Sequence, residues 1–208
     1  MNLKNYYYYF TSALSHKLCD EIIEFGNSQK KEVAITGEFQ NKGPIVSSKE
    51  LQKLHKTRNS SIVWLDEPWL SKEIDPYVKE ANQSAGWNFN LTGHEKTQFT
   101  KYALNQHYDW HCDSWPEPYD LPNNLNQHGK IRKISMICSL SDPKDYSGGD
   151  LLFQFRQSTK PGQTVKCAEG LPKGTLIFFP SFVWHKVAPV IEGVRYSLVC
   201  WNLGPKFI

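Results

Sequence analysis

The segment 107-HYDWHCDSWPEP-118 crowds together two histidines, two aspartates and a cysteine. These side chains ligate metals, move protons or act as nucleophiles. On an extended strand residues i and i+2 share a face, so His111 and Asp113 can address one point in space while Cys112 faces away into packing. A second pairing, His107 with His111 at i, i+4 on a helix as in zinc proteases, needs a glutamate after the first histidine. Tyr108 stands there instead, and Pro116 and Pro118 soon break any helix. A nucleophile built on Cys112 fails on the same alternation, because its thiol points away from the neighbouring imidazole.

A third ligand is available in 176-LIFFPSFVWHKVAPV-190. His185 lies there on a predicted strand that turns at Glu192-Gly193 and returns through 194-VRYSLVCW-201. Two imidazoles and one carboxylate on one face of an octahedral ion leave three positions open, the facial triad of non-haem Fe(II) oxygenases. Arg195 follows His185 by ten residues, so a short hairpin would set the two on adjacent strands facing one interior. Arg195 and Ser197 alternate onto one face, where a permanently charged planar fork and a hydroxyl converge on a carboxylate.

The elements that must position these groups are legible in outline. Seven Trp, eleven Phe and ten Tyr favour a β-rich interior. Strands are expected over Thr97–Leu104, Ile131–Leu140, Asp150–Phe155, Thr175–Pro180, Val183–Val187 and Val194–Trp201. Turn chemistry separates them at 142-DPKDYSGGD-150, 161-PG-162, 172-PKG-174 and 192-EG-193. Ser15 caps a predicted helix through Phe25 that Gly26 stops, and a second helix spans Glu73–Ala85 with Pro76 in its first turn. The run 6-YYYY-9 reads as an N-terminal strand docking on the core. Residues 28–60 read as polar loops, with 49-KELQKLHKTR-58 a solvated face or part of a lid over the site. The fold class is α+β, mainly β: helices packed against an antiparallel sandwich or barrel.

Composition excludes several functions. A net charge of +3 gives no electrostatic footprint for nucleic acid. Five dispersed cysteines without a C-x-x-C pair argue against a disulfide framework and a thiolate zinc site. The longest apolar stretch, 176-LIFFPSFVW-184, is too short to span a bilayer, and no apolar leader follows Met1. A soluble cytoplasmic protein that binds no membrane is the expectation.

Residues 95–206 resemble the Fe(II)/2-oxoglutarate-dependent dioxygenases, specifically the prolyl 4-hydroxylase-like branch. The resemblance rests on 102-YALNQHYDWHCD-113, 132-RKISMICSLSDPKDYSGGDLLF-153, 174-GTLIFFPSFVWHKVAPV-190 and 193-GVRYSLVCWNLGP-205, with 11-TSALSHKLCDEIIEFG-26 similar to the opening helix. It implies a double-stranded β-helix (jelly-roll) core over residues 96–206, supported by a helical and loop region over 1–95, in a single domain. It implies iron on His111, Asp113 and His185, and 2-oxoglutarate bound by Arg195 with Ser197 and Tyr102. Tyr108, Arg132 and Trp201 fall on the substrate side. Dioxygen is the further cosubstrate and ascorbate a family expectation with no dedicated residue. The implied substrate is a peptide or protein containing proline, hydroxylated at the 4-position. Readings that keep the chemistry replace it with a free amino acid, another side chain or an alkylated base; a catalytically silent metal- or peptide-binding jelly roll is the rival of a different class. Two features depart from the family pattern: the link 103-ALNQH-107 lacks glycine, and Arg195 stands where collagen-modifying members use lysine.

Overall fold

Alternation of apolar with small or polar residues along the C-terminal strands predicts two differently covered faces, and the chain folds that way. The computed structural model describes residues 5–30, 32–34, 48–157 and 160–207. In chain order the elements are β1 (Tyr8–Phe10), α1 (His16–Ser28), β2 (Glu32–Val33), α2 (Ser48–Thr57), β3 (Arg58–Asn59), β4 (Ser61–Leu65) and α3 (Pro68–Ser84). There follow β5 (Gly93–His94), β6 (Thr97–Tyr102), β7 (His107–His111), β8 (Lys130–Ser139), β9 (Tyr146–Gly148), β10 (Leu151–Gln157) and β11 (Lys160–Lys166). After a 3-10 turn at Ala168–Gly170 come β12 (Leu176–Pro180), β13 (Trp184–Val187), β14 (Val190–Gly193) and β15 (Arg195–Pro205).

The larger sheet runs β1-β12-β8-β15-β6-β4-β2, with β5 beside the far end of β15; the smaller runs β11-β10-β13-β7-β3, and β14 pairs with β9. The strand pairings are antiparallel, the sandwich of a jelly roll. Strands from the first 95 residues enter both sheets. On β8, Ile134, Met136 and Cys138 point to one face, together with Leu198 and Cys200 of β15. They meet Cys19 and Ile22 of α1 and Leu70, Ile74 and Val78 of α3. The opposite face of the larger sheet carries Ile137 and Ile177, which pack with Phe153, Phe179 and Val183. The candidate chemistry lies at the end of this second, inter-sheet layer.

Several expectations change. Ser15 does cap α1, its Oγ accepting from the Leu18 amide at 3.2 Å, but the helix continues through Gly26 to Ser28. Gly26 is a packing residue, since a Cβ there would lie 2.6 Å from the Phe99 ring. The second helix starts at Pro68 and carries Pro76 in its interior, on the exposed side, where water can replace the lost hydrogen bond. Residues 161-PG-162 lie inside β11. Glu192 and Gly193 belong to β14, so no single hairpin joins His185 to Arg195; β13 is in the smaller sheet and β15 in the larger. The segment 49–58 forms most of α2 and the start of β3, with Leu54 fully buried, while residues 35–47 of the expected lid lie outside the described residues. Among the described residues no helix is long and apolar enough to cross a membrane.

The Gly26 contact is testable. Gly→Ala inside a helix ordinarily gains about 1 kcal/mol, but crowding a packed core costs about 1–3 kcal/mol. Gly26→Ala is expected to lower stability in urea unfolding, and Gly26→Ala combined with Phe99→Leu to recover part of the loss.

Candidate active site

His111 ends β7 and His185 sits directly opposite it on β13, so the antiparallel register alone delivers both imidazoles to one spot. Their ring centroids are 4.1 Å apart. Asp113 arrives differently from the strand alternation expected: β7 stops at His111, and the Asp113 and Ser114 amides both donate to the Ser181 carbonyl, at 2.8 and 3.0 Å. This bend aims the carboxylate back at the histidines. Its Oδ1 lies 3.7 Å from His111 Nε2 and its Oδ2 3.5 Å from His185 Nε2. These gaps are too long for hydrogen bonds and wide enough for an ion to bridge.

Each Nδ1 is occupied by a backbone carbonyl, Asp109 at 2.7 Å for His111 and Val183 at 3.0 Å for His185. Those bonds set the tautomer that leaves both Nε2 lone pairs free for a metal. Burial, followed by the neighbouring His185, lowers the His111 pKa well below the ordinary imidazole value. Burial would raise the Asp113 carboxyl, but His185, His111, Arg132 and a hydrogen bond from Ser135 outweigh it and hold it at about 2. An uncharged His111 imidazole beside the ionised Asp113 carboxylate suits a divalent ion. Ser135 Oγ donates to Asp113 Oδ2 at 2.7 Å and lies 2.9 Å from Ser181 Oγ. The three ligand atoms lie within 4.8 Å of one another, so the residues present fit an ion in their midst.

Facing the triad across the sandwich is β15. Arg195 pairs with Tyr102 of β6 and Ser197 with Thr100. Arg195 is 4% exposed; its guanidinium lies 5.6 Å from the centroid of the Tyr102 ring and donates to Ser197 Oγ at 3.4 Å. Gly149, at φ +63°, gives it passage: a Cβ there would lie 2.9 Å from Arg195 Cδ.

Two β-bulges turn further residues inward. Between His185/His111 and Val187/Tyr108, β7 carries one residue more than β13. Tyr108 and His111, three apart, therefore share a face, and their rings stack at 3.5 Å. Between Asn202/Ile134 and Leu203/Arg132, β8 carries the extra residue, and Arg132 leaves the helix-covered face for the cavity. There it lies 3.8 Å over the Trp201 ring and 5.6 Å from Trp115. Arg132 is less free than a substrate-side residue would be, because Glu95 takes its Nε and Nη2 at 2.7 and 2.6 Å and in turn accepts from Tyr119.

His111, Asp113, His185, Arg195, Tyr102, Ser197, Tyr108, Arg132 and Trp201 all line one cavity. Arg58 lines it too, a residue that sequence reasoning left on a solvated face. Cys112 also borders it, contrary to its expected outward orientation. Burial raises the Cys112 thiol above its ordinary value, so it remains protonated and a poor nucleophile. Trp64, Trp115 and Arg132 also line a larger open groove of about 1080 Å³, which adjoins the cavity.

Residues 97–202, just over half of the chain, match the profile of the 2OG-Fe(II) oxygenase superfamily. A PKHD-type hydroxylase from Synechococcus sp. (strain CC9902) is 37% identical over 94 residues, 45% of this chain and 35% of that protein. The chain thus spans well under half the length of the curated relatives it matches. Among solved structures, the fold matches a prolyl hydroxylase from Trichoplax adhaerens in complex with a hypoxia inducible factor peptide fragment. The TM-score is 0.68 at 18% identity, over 96% of this chain and 84% of that one. It also matches the viral collagen prolyl hydroxylase of Paramecium Bursaria Chlorella virus-1 in its 2OG complex, with TM-score 0.62 and 20% identity over 97% of each chain.

Ser135 gives a direct test of the triad. Removing a group that orients a ligand typically weakens metal binding about 10–100-fold. Ser135→Ala is expected to fall in that range for Fe(II) or Co(II), measured by competition with a chromogenic chelator, with an unchanged far-ultraviolet circular dichroism spectrum.

Proposed function

The chain belongs to the 2OG-Fe(II) oxygenase superfamily, and from that premise we propose that it is a hydroxylase acting on a prolyl residue of a peptide at the 4-position. The observation that carries the oxygenase reading is the convergence of the His111–Asp113–His185 cluster with a buried Arg195, which has no carboxylate partner among the described residues, on opposite walls of one cavity. Such a pairing serves a molecule that must reach a metal at one end and a guanidinium at the other, and 2-oxoglutarate carries a carboxylate at each end.

In this reading His111, Asp113 and His185 hold Fe(II). Bound there, the ion supplies the redox chemistry by which 2-oxoglutarate and dioxygen become succinate and carbon dioxide while a C–H bond becomes C–OH. The chain's own residues do the rest. The Asp109 and Val183 carbonyls keep the imidazoles turned to the centre, and Ser135 holds the carboxylate. Arg195 takes the distal carboxylate of 2-oxoglutarate, with Ser197 and Tyr102 beside it. Ile137, Val187 and Val199 supply apolar lining that limits water around the reacting atoms. Tyr108, stacked on His111, and Trp201 border the substrate side.

The prolyl assignment is supported by the resemblance of the whole motif set and by the prolyl hydroxylases among the structural neighbours. An open groove that shares Trp64, Trp115 and Arg132 with the cavity also supports a polypeptide lying beside the site.

Succinate release from 2-oxoglutarate, with Fe(II) and oxygen and with or without proline-rich peptides, tests the reading. Wild type is expected to turn over with peptide stimulation, and His185→Ala to lose turnover. Turnover that no peptide stimulates would remove the prolyl substrate and leave the oxygenase. Arg195→Met removes one partner of a buried charge pair, worth about 2–5 kcal/mol. Its KM for 2-oxoglutarate is therefore expected to rise roughly thirty-fold or more, with the KM for peptide little changed.

A further inference from the structure

Three guanidinium groups are buried along the cavity, and two of them have an anion to answer to. Arg132 is held by Glu95, and Arg195 takes the distal carboxylate of 2-oxoglutarate in the reading above. Arg58 has no such partner among the described residues. It is 5% exposed, its Nε donates to Ser60 Oγ at 3.2 Å, and its guanidinium lies 4.5 Å over the Tyr108 ring. Among the described residues no carboxylate pairs with it, and its two Nη groups make no hydrogen bond. They are also not among the sealed, unpaired polar atoms, and Arg58 lines the cavity. Burying a guanidinium without an anion is costly, and a π face recovers only part of that cost.

The position of Arg58 is built, not incidental. β3 pairs with β7 so that Arg58 stands opposite Tyr108, and the bulge in β7 stacks Tyr108 in turn on His111. The guanidinium is the outermost layer of a three-layer column whose innermost ring is a triad imidazole. A group bound at its Nη edge would lie close to the metal cluster, at a point separate from the Arg195 pocket on the opposite sheet.

We propose that Arg58 is the docking point for a carboxylate carried by the substrate, near the carbon that is hydroxylated. The planar fork, with Nε spent on Ser60, leaves two parallel Nη donors that match the two oxygens of a carboxylate. That carboxylate is either the main-chain carboxylate of a free amino acid or an acidic side chain flanking the target residue of a peptide. The proposal rests on the oxygenase reading and narrows its substrate class.

The test loads wild type, Arg58→Gln, Arg58→Lys and Arg58→Met with Fe(II) and 2-oxoglutarate under argon, where binding is read without turnover. Each is titrated with probe pairs that differ only in carboxylate against carboxamide. The pairs are acetate and acetamide, N-acetyl-L-proline and its amide, and acetyl-Gly-Glu-Pro-Glu-Gly-amide and its double-glutamine counterpart. Tryptophan fluorescence and the thermal midpoint report binding. Wild type is expected to prefer at least one carboxylate probe ten-fold or more, Arg58→Gln and Arg58→Met to lose the preference, and Arg58→Lys to keep part of it. A preference confined to the small acids identifies a free-acid source, and one confined to the peptide pair an acidic neighbour. Oxygen uptake with Fe(II) and 2-oxoglutarate, alone and with each probe, is measured on the same wild-type protein. Carboxylate-blind binding in a protein that consumes oxygen, or a preference that survives both neutral variants, overturns the assignment of Arg58 alone. No oxygen uptake overturns the oxygenase reading and this inference with it.

Discussion

The site depends first on a strand register. His185 and His111 face one another as direct partners across β13 and β7, and a slip of one residue would turn a whole strand's side chains to the opposite face. Ser181, a few residues before β13, ties the third ligand to the same frame. Its carbonyl takes the Asp113 and Ser114 amides, and its hydroxyl meets the Ser135 hydroxyl that donates to Asp113. Ser135 is on β8, at the centre of the larger sheet and directly paired with Trp201 of β15. One small cluster of hydroxyls and amides therefore fixes the smaller sheet against the larger at the point where the ligands meet. The helices bear on this only indirectly: α1 and α3 cover the outer face of the larger sheet and so hold β8 and β15 in place.

That arrangement explains which features were legible in the sequence. Alternation is a local property, so the strands around His185 and Arg195 and the shared face of Arg195 and Ser197 could be read directly. Convergence is not local. His111 and Asp113 were expected to meet through strand alternation, and they meet through a bend whose anchor, Ser181, lies 68 positions away. Tyr108 and Arg132 have the wrong parity for the cavity on a regular strand, and each reaches it through one extra residue in its own strand. Nothing in HYDWH or KIRKIS announces a bulge, because its cause is the fit to a partner strand. The resemblance to a family assigned both residues to the site where periodicity could not. Gly26 misled for a related reason: a glycine near a helix end reads as a stop, yet here the missing Cβ makes room for Phe99 of β6. Arg58 was masked by its surroundings, since the lysine-rich run before it resembles a solvated face. The signal lay just downstream, where 58-RNSSIVWL-65 has the texture of a strand entering the sheet.

Charge orders the interior as firmly as geometry does. Asp113 is the one carboxylate among the described residues lining the cavity, against Arg58, Arg132 and Arg195. Glu95, which neutralises Arg132, lines the adjoining groove together with Asp66, Glu117 and Asp120. The sign of the lining charge therefore changes between the enclosed cavity and the open groove. In a poorly screened interior that excess of cations is expensive until anions arrive, which is the electrostatic basis of the carboxylate-binding roles proposed for Arg195 and Arg58. Asp113 itself stays ionised, with its pKa at about 2, because His185, His111, Arg132 and the hydrogen bond from Ser135 outweigh its burial. An arrangement serving packing alone would have given Arg58 and Arg195 internal carboxylates, as it gave Glu95 to Arg132. Among the described residues two of the three buried guanidiniums are left without a carboxylate, on opposite sheets with the His111–Asp113–His185 cluster between them, an arrangement that on the proposed reading trades stability for affinity.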